Sequence, residues 1–472
     1  MVTDQFTSGS AWTNCSAVSD APLPSVQFPG PHTDPVSDSG FGFSVRPPAA
    51  EQHTTIVMAG FAKLLDVGKE EEQEEASPTS RTLSLLCSIP RRLVVSLALG
   101  GALVTPQLTE SLRRILFGAT FYVFSYEWRK SVFQFREPDS ELSYAVKTNR
   151  GGAGPIQMVV QARVIKNLLF LDKSSSDTEI LQSFSQVGQW DQEKALAAAL
   201  SDSLWSAGQE VSATITLVAE DYCITPQLDY KLDDFTEKLQ LFTFTKKEDV
   251  TKFILEHVQC FTDEGSHGVI LFLYSLICSR TIDRVKEDLD STTSHLLHLS
   301  LGNFVCHQAL LNLLLTGRAS PHVFNGTLFS EKDGRTGEHP LQGVLSRSDV
   351  GYLHWSQEQM ERDTLPQVGS MLKTPRFPIW LCCINRSYSI LFSMKRSLLS
   401  DWRKEQLFHL YYYNGQSSQK TTARLTVDTQ SHHCEALARN SNEDPEKGSL
   451  EMTIRTKWDG ATVDWNSTSP FY

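Results

Sequence analysis

A glycine-rich turn runs into an almost continuously apolar helix, and no other feature of the 472-residue chain limits its fold as strongly. The turn is Asn149-Arg-Gly-Gly-Ala-Gly-Pro155, and beyond it Ile156, Val159, Val160, Val164 and Leu168 recur at helical spacing up to Phe170. That pattern predicts a buried helix over 156–170. A length near three typical domains leaves room for the core that buries it. Around it the pattern changes along the chain. Thr105 and Pro106 set up an N-cap and first helical position for 107–117, with Leu108, Leu112, Ile115 and Leu116 on one face and Gly118 as the stop. Further helices are predicted at 192–205, 246–258, 268–281 and 302–316. The last third carries short apolar runs instead: 378–383 and 387–393 joined by Ile384-Asn385-Arg386 as a hairpin, then strands at 406–413, 421–427 and 450–457. Helices first and strands later give the α+β class.

The flanks read differently. Residues 1 to about 55 are rich in Ser, Thr, Pro, Gly and Asp, and a short apolar island, 56–67, and the acidic run Lys69–Glu75 follow, so 1–80 is expected to be a disordered N-terminal region with an acidic linker, followed by one domain over 81–472. The polar insert 428–449 is expected to be a mobile loop. The net charge of -12 offers no basic face for nucleic acid. The apolar stretches 93–104 and 269–278 are shorter than the roughly 20 residues that span a bilayer. With no visible secretory leader, the expected location is intracellular, cytoplasmic or nuclear, with no membrane partner. Nine cysteines without a CxxC pair fit free thiols better than a disulfide framework or zinc site.

Candidate chemistry begins at the glycine-rich turn. A phosphate loop fails there, because no Gly-Lys-Ser/Thr follows and the glycine spacing is not that of a nucleotide fingerprint. A helix N-terminus also stabilises a thiolate, yet the turn holds no cysteine. Elsewhere, Cys306-His307 falls on a predicted helix, where adjacent residues do not face each other. Cys382 and Cys383 read as small core residues, and His432-His433-Cys434 lacks a partner pair for a metal. No cofactor and no metal site are expected. The aromatic segment Phe117–Phe135 reads as core, and the sequons at Asn385 and Asn466 as chance matches.

The string Tyr144-Ala-Val-Lys-Thr-Asn-Arg-Gly-Gly-Ala-Gly-Pro-Ile-Gln-Met-Val-Val-Gln-Ala162 resembles the catalytic motif of the MINDY family of lysine-48-specific deubiquitinases. Active members there carry Tyr-Gly-hydrophobic-Val-Gln-Asn-Lys-Gly-Gly-Pro-Cys-Gly before a helix. Blocks in the same order support it: Leu112–Gly118, Glu127–Phe135, Leu314–Asn325, Leu372–Trp380, Leu410–Gly415, Arg424–Thr429 and Ile454–Trp458. The likeness spans roughly 105–466 and is nearest to the fourth branch of the family and its inactive B-type relative. It implies a fold related to papain-like cysteine proteases. Carried over residue by residue, it also implies an enzyme without its chemistry. Gly154 stands at the nucleophilic cysteine's position, Ser387 at the general base's histidine and Thr148 at the glutamine of the oxyanion hole, a group worth about 3 kcal/mol in the transition state. A serine does not replace imidazole as a base near neutral pH.

Three functions remain in view. The first is an inactive ubiquitin carboxyl-terminal hydrolase that binds lysine-48-linked polyubiquitin without cutting it. The second is an interaction scaffold for a non-ubiquitin partner, and the third a residual cysteine-type hydrolase using Cys382 or Cys383.

Overall fold

The computed structural model describes residues 89–468, apart from 139, 149–150, 172–183, 185, 222–229, 330, 333–334, 337–339 and 432–444. All described residues lie in one compact unit, Ala76–Tyr472. The expectations for 1–80 and for His432-His433-Cys434 fall outside them.

The predicted buried helix is α3 (Gly154–Phe170), preceded in the chain by α1 (Pro106–Phe117) and α2 (Tyr126–Arg129). In α1, the Thr105 hydroxyl accepts from the Leu108 N–H and Gly118 closes the helix at φ 77°, the cap and stop the sequence announces. Pro155 occupies the first turn of α3, where its missing N–H costs nothing. Nearly every α3 side chain is buried, including polar Gln157, Gln161, Arg163, Lys166 and Asn167. Such a helix needs cover on all sides. One side is supplied by α4 (Gln189–Ala207) and α8 (Gln308–Thr316), the other by a six-stranded sheet.

That sheet runs β6 (Gly351–Trp355), β7 (Ile379–Ile384), β8 (Ser387–Phe392), β9 (Leu407–Tyr413), β10 (Ala423–Asp428), β11 (Thr462–Asp464), in spatial order as in sequence. Only the β6–β7 pair is parallel. Alternation along the strands divides two cores. Cys383, Ile390, Phe392 and Tyr413 pack toward α3, whereas Trp380, Cys382, Leu391, Leu410 and Leu425 pack with Leu450, Ile454 and Trp458 on the opposite face. The β7–β8 hairpin turns on Asn385 and Arg386 at φ 48° and 68°, as a two-residue turn that matches strand twist requires. A second, antiparallel sheet orders β1 (Ala102–Leu103), β3 (Leu239–Phe244) and β2 (Ala213–Val218), with α5 (Lys247–Glu256) beside it. Edge strand β2 lies under α6 (Gly268–Arg280), which α7 (Ile282–Asp288) follows; the α6 Ser275 and Ser279 hydroxyls accept from the Thr216 and Thr214 N–H groups at 2.9 Å each. Buried side-chain oxygens thus replace a further strand.

Two expectations change. The segment 450–457, read as a strand, belongs to helix α9 (Pro445–Arg455), because Leu450, Ile454 and Trp458 meet the sheet at helical rather than alternate spacing. The helix predicted over 302–316 divides: β5 (Asn303–Cys306) pairs with β4 (Leu297–Ser300), and α8 starts only at Gln308. Of the expected mobile loop 428–449, 432–444 lies outside the described residues, and its end forms the start of α9. Strands β2, β3 and β6 have no counterpart among the sequence expectations.

Gln161 of α3 is the fastener between helix and the preceding chain. Its Oε1 accepts from the Val146 N–H and its Nε2 donates to the Tyr144 carbonyl at 3.0 Å. Gln161→Ala leaves both buried backbone groups unpaired and is expected to destabilise the domain by about 2–4 kcal/mol in chemical denaturation, against a surface change such as Gln189→Ala that stays within about 0.5 kcal/mol.

Candidate functional site

The site is built where segment 144–148 delivers the glycine-rich turn to the N-terminus of α3. Four tethers fix the segment. Gln161 holds Tyr144 and Val146; Gln157 Nε2 donates to the carbonyls of Val132 at 2.7 Å and Lys147 at 3.4 Å. Tyr413 Oη, from β9, donates to the Val146 carbonyl at 2.9 Å, and the fully buried Tyr144 shares a 2.7 Å hydrogen bond with Thr422. Burial pushes the Tyr144 phenol well above its usual range, so it remains a neutral partner.

Gly151 and Gly152 of the turn answer to backbone geometry. Gly151 sits at φ 144°, which favours glycine, and a Cβ on Gly152 would lie 1.7 Å from the Phe304 carbonyl. That same carbonyl accepts from Trp128 Nε1 at 2.9 Å, so the turn, α2 and β5 converge on one oxygen. Phe124, Trp128 and Phe133 are buried here as the core reading expects, while Phe121 and Tyr126 are exposed.

Each position singled out by the sequence can now be located. Gly154 is the first residue of α3 and half-buried; its N–H closes a turn on the Gly151 carbonyl at 3.2 Å. The Thr148 hydroxyl donates to the Gly415 carbonyl at 2.8 Å, which ties 144–148 to the loop after β9. Ser387 starts β8, exposed, opposite Ile384. Strand alternation gives the α3-facing side to Tyr388, Ile390 and Phe392, and the residue of this stretch that reaches toward the turn is Tyr388, opposite Cys383 and near Cys306.

A thiol does approach the turn, and the sequence reading had placed it on a helix. Cys306 ends β5 and its Sγ donates to the Gly152 carbonyl at 3.2 Å. His307, the residue that precedes α8, turns away from it: its ring packs against His298 at 4.5 Å and His295 at 5.4 Å between centroids. Burial, with His298 and His295 adding to it, drives the His307 imidazole down to about 4, so it is neutral at physiological pH. Burial acts on the thiols in the opposite sense. It raises Cys260 to about 11 and Cys278 to about 12, and Cys306, Cys382 and Cys383 also lie above the ordinary thiol value. Even at Cys383, where hydrogen bonds from Tyr388 and Tyr352 and the Arg386 charge favour the thiolate, burial outweighs them. Among the described residues, no group of three or more His, Cys, Asp or Glu side chains is placed to hold a metal ion. No helix there is long and apolar enough to cross a membrane.

With this geometry in hand, comparison with known proteins is informative. The family profile described as "Deubiquitinating enzyme MINDY-3/4, conserved domain" matches residues 113–467. Mouse "Probable ubiquitin carboxyl-terminal hydrolase MINDY-4" is 39% identical over 366 residues, covering 77% of this chain and 46% of the mouse protein. The human protein of that name is 35% identical over 412 residues, 87% of this chain and 51% of its own. A Drosophila melanogaster "Ubiquitin carboxyl-terminal hydrolase MINDY-3 homolog" is 30% identical over 217 residues, 44% of this chain and 36% of the fly protein. No solved structure matches. The fold is therefore that of a deubiquitinating-enzyme domain. The chain belongs to the MINDY-3/4 family, and it spans about half the length of the MINDY-4 relatives it matches.

The thiol chemistry gives a direct expectation. Iodoacetamide at pH 7.5 should leave Cys260, Cys278, Cys306, Cys382 and Cys383 unmodified in the native protein and alkylate all five after unfolding, as read by peptide mass mapping. Native labelling of Cys306 would contradict the burial described.

Proposed function

We propose that this chain is an inactive deubiquitinase, a pseudoenzyme that binds lysine-48-linked polyubiquitin and does not cut it. The observation that carries the reading is the identity of the residue at the head of α3. A helix N-terminus fed by a tethered turn is where the family's nucleophile belongs, and Gly154 has no side chain to attack with. The two other roles are also without their chemistry. Thr148 spends its hydroxyl on Gly415, and Ser387 brings an alcohol where an imidazole is required. Cys306 does not stand in, because it is buried, protonated and bonded to a carbonyl.

Recognition is supported by what surrounds the turn. Phe121 is 58% exposed, Leu299 52% and Leu301 fully exposed at the tip of the β4–β5 hairpin. Phe121 and Leu299 are linked through a chain of neighbours: Phe121 on Tyr122 at 4.4 Å, Tyr122 on Phe304 at 5.4 Å, and Phe304 paired with Leu299 across the hairpin. Exposed apolar side chains grouped beside a site mark a surface for a protein partner. In this reading ubiquitin is that partner. The scaffold reading differs only in what docks there.

The test uses the purified full chain with lysine-48- and lysine-63-linked tetraubiquitin. Retention of the lysine-48 chains with no free ubiquitin released over hours is the expected result. The pair Phe121→Asp and Leu301→Asp is expected to weaken retention at least about tenfold without lowering the melting temperature. Thiol-sensitive release of ubiquitin would end the pseudoenzyme reading. Absence of any ubiquitin binding would favour the scaffold instead.

A further inference from the structure

On the side of the molecule built from the far ends of the helices, six cations share the wall of one cavity of about 290 Å³: Arg163, Lys247, Arg280, Arg318, Arg347 and Arg376. Three carboxylates, Asp202, Glu210 and Asp349, line it with them. Two more charges stand just behind the wall and cancel each other. Asp288 takes Arg280 through paired 2.8 Å contacts and Arg318 at 3.4 Å, while Lys166 bridges Asp202 and Asp349. The wall therefore keeps an excess of three positive charges in a protein whose net charge is -12. The carboxylates do not shed their charge to reduce this imbalance further. Burial would raise Asp202 and Asp349, but Lys166 and Arg163 outweigh it and hold both below their ordinary value.

Two of the arginines are incompletely used. Arg163 is 3% exposed and spends Nη2 on the Leu314 carbonyl at 2.9 Å, leaving its buried Nε without an acceptor. Arg280 is 2% exposed and has an unpartnered buried Nη1 beside its contacts to Asp288. Buried guanidinium donors are ordinarily satisfied, and Arg163 and Arg280, which each carry an unsatisfied one, are both among the residues lining this cavity. Arg347 is a cation of a different kind: it is exposed and makes no ion pair among the described residues. Arg347, Asp349 and Arg376 also line a neighbouring cavity of about 820 Å³, together with Lys166 and Arg396.

We infer that this cavity is a binding site for a small phosphate-bearing anion, an oligophosphate or phosphate ester seated between α3, α4, α5, α6 and the 346–349 segment. The charge selects phosphate over carboxylate. One carboxylate brings a single negative charge, whereas a pyrophosphate-like group brings two or three, and its oxygens match the fork geometry of several arginines at once. The volume admits one or two phosphate groups, and the adjoining cavity receives whatever they are attached to. None of these residues enters the ubiquitin reading, so the two stand or fall separately.

Isothermal titration of the full chain with pyrophosphate at 150 mM NaCl tests the site. The expected result is saturable one-to-one binding with a dissociation constant on the order of 1–100 µM. Arg347→Gln with Arg376→Gln is expected to weaken it at least tenfold, whereas the surface pair Arg403→Gln and Lys404→Gln leaves it unchanged. Should the first double variant fold poorly, Arg347→Gln alone carries the same comparison, since that side chain is exposed and unpaired. Sedimentation with phosphatidylcholine vesicles, with and without phosphatidylinositol bisphosphate, distinguishes the source. Pyrophosphate binding without vesicle binding assigns a soluble ligand; vesicle binding that requires the bisphosphate and is lost in the arginine variants assigns a lipid headgroup. No saturable binding in either arm, or binding indifferent to Arg347, overturns the site.

Discussion

The structure depends on how an irregular stretch of backbone, residues 144–148, is held beneath the surface at the head of a buried helix. Buried peptide groups outside regular structure must find partners or cost about 1–3 kcal/mol each. Here α3 supplies them from its own side chains. Gln161 pairs with Val146 and Tyr144, Gln157 with Lys147 and Val132, and the sheet contributes Tyr413. These bonds join the helical half of the domain to the six-stranded sheet and set the height at which the glycine-rich turn emerges. Polar residues buried in α3 therefore explain why a helix this apolar still has one rotational setting.

Under the pseudoenzyme proposal, catalytic chemistry and turn geometry separate in this chain. Gly151 and Gly152 are required by a backbone angle and by the Phe304 carbonyl, needs that persist whether or not anything attacks a substrate. In the proposed reading Gly154, the first residue of α3, is where the family motif and this chain part. Fold and reactivity rest on different atoms, so one can be kept while the other goes. The remaining thiols fit this division, because the packing that makes Cys306, Cys382 and Cys383 good core residues also withholds the thiolate.

Much of this was legible in the sequence where one rule acted alone. The Thr105 cap, the Gly118 stop, the hairpin turn at Asn385-Arg386 and the periodicity of α3 each have a local cause, and each appears where expected. The departures come where two causes compete. In 450–457 an alternating pattern coexists with Leu450, Ile454 and Trp458 at helical spacing, and packing against the sheet decides for the helix. At 303–306 a strand abuts a helix with no Gly or Pro between them, so the two merged into one predicted element, and Cys306 and His307 were placed on the wrong scaffold. At the site, the family likeness singles out Thr148, Gly154 and Ser387 as the proposed positions of the missing chemistry. The tether of Thr148 to Gly415, the thiol beside Gly152 and the side of the sheet that Tyr388 occupies are tertiary facts with no local signature.

The central claim of the proposed reading is that none of the thiols among the described residues, Cys260, Cys278, Cys306, Cys382 and Cys383, is presented as a nucleophile to ubiquitin's carboxyl terminus. Incubation with ubiquitin bearing a thiol-reactive electrophile at its C-terminus, followed by intact-mass measurement, tests it most directly. The mass of the chain is expected to remain unchanged over a time in which an active thiol deubiquitinase is fully captured. A stoichiometric adduct of one ubiquitin, mapped to Cys306 or to any other cysteine and abolished by its replacement with alanine, would contradict the account.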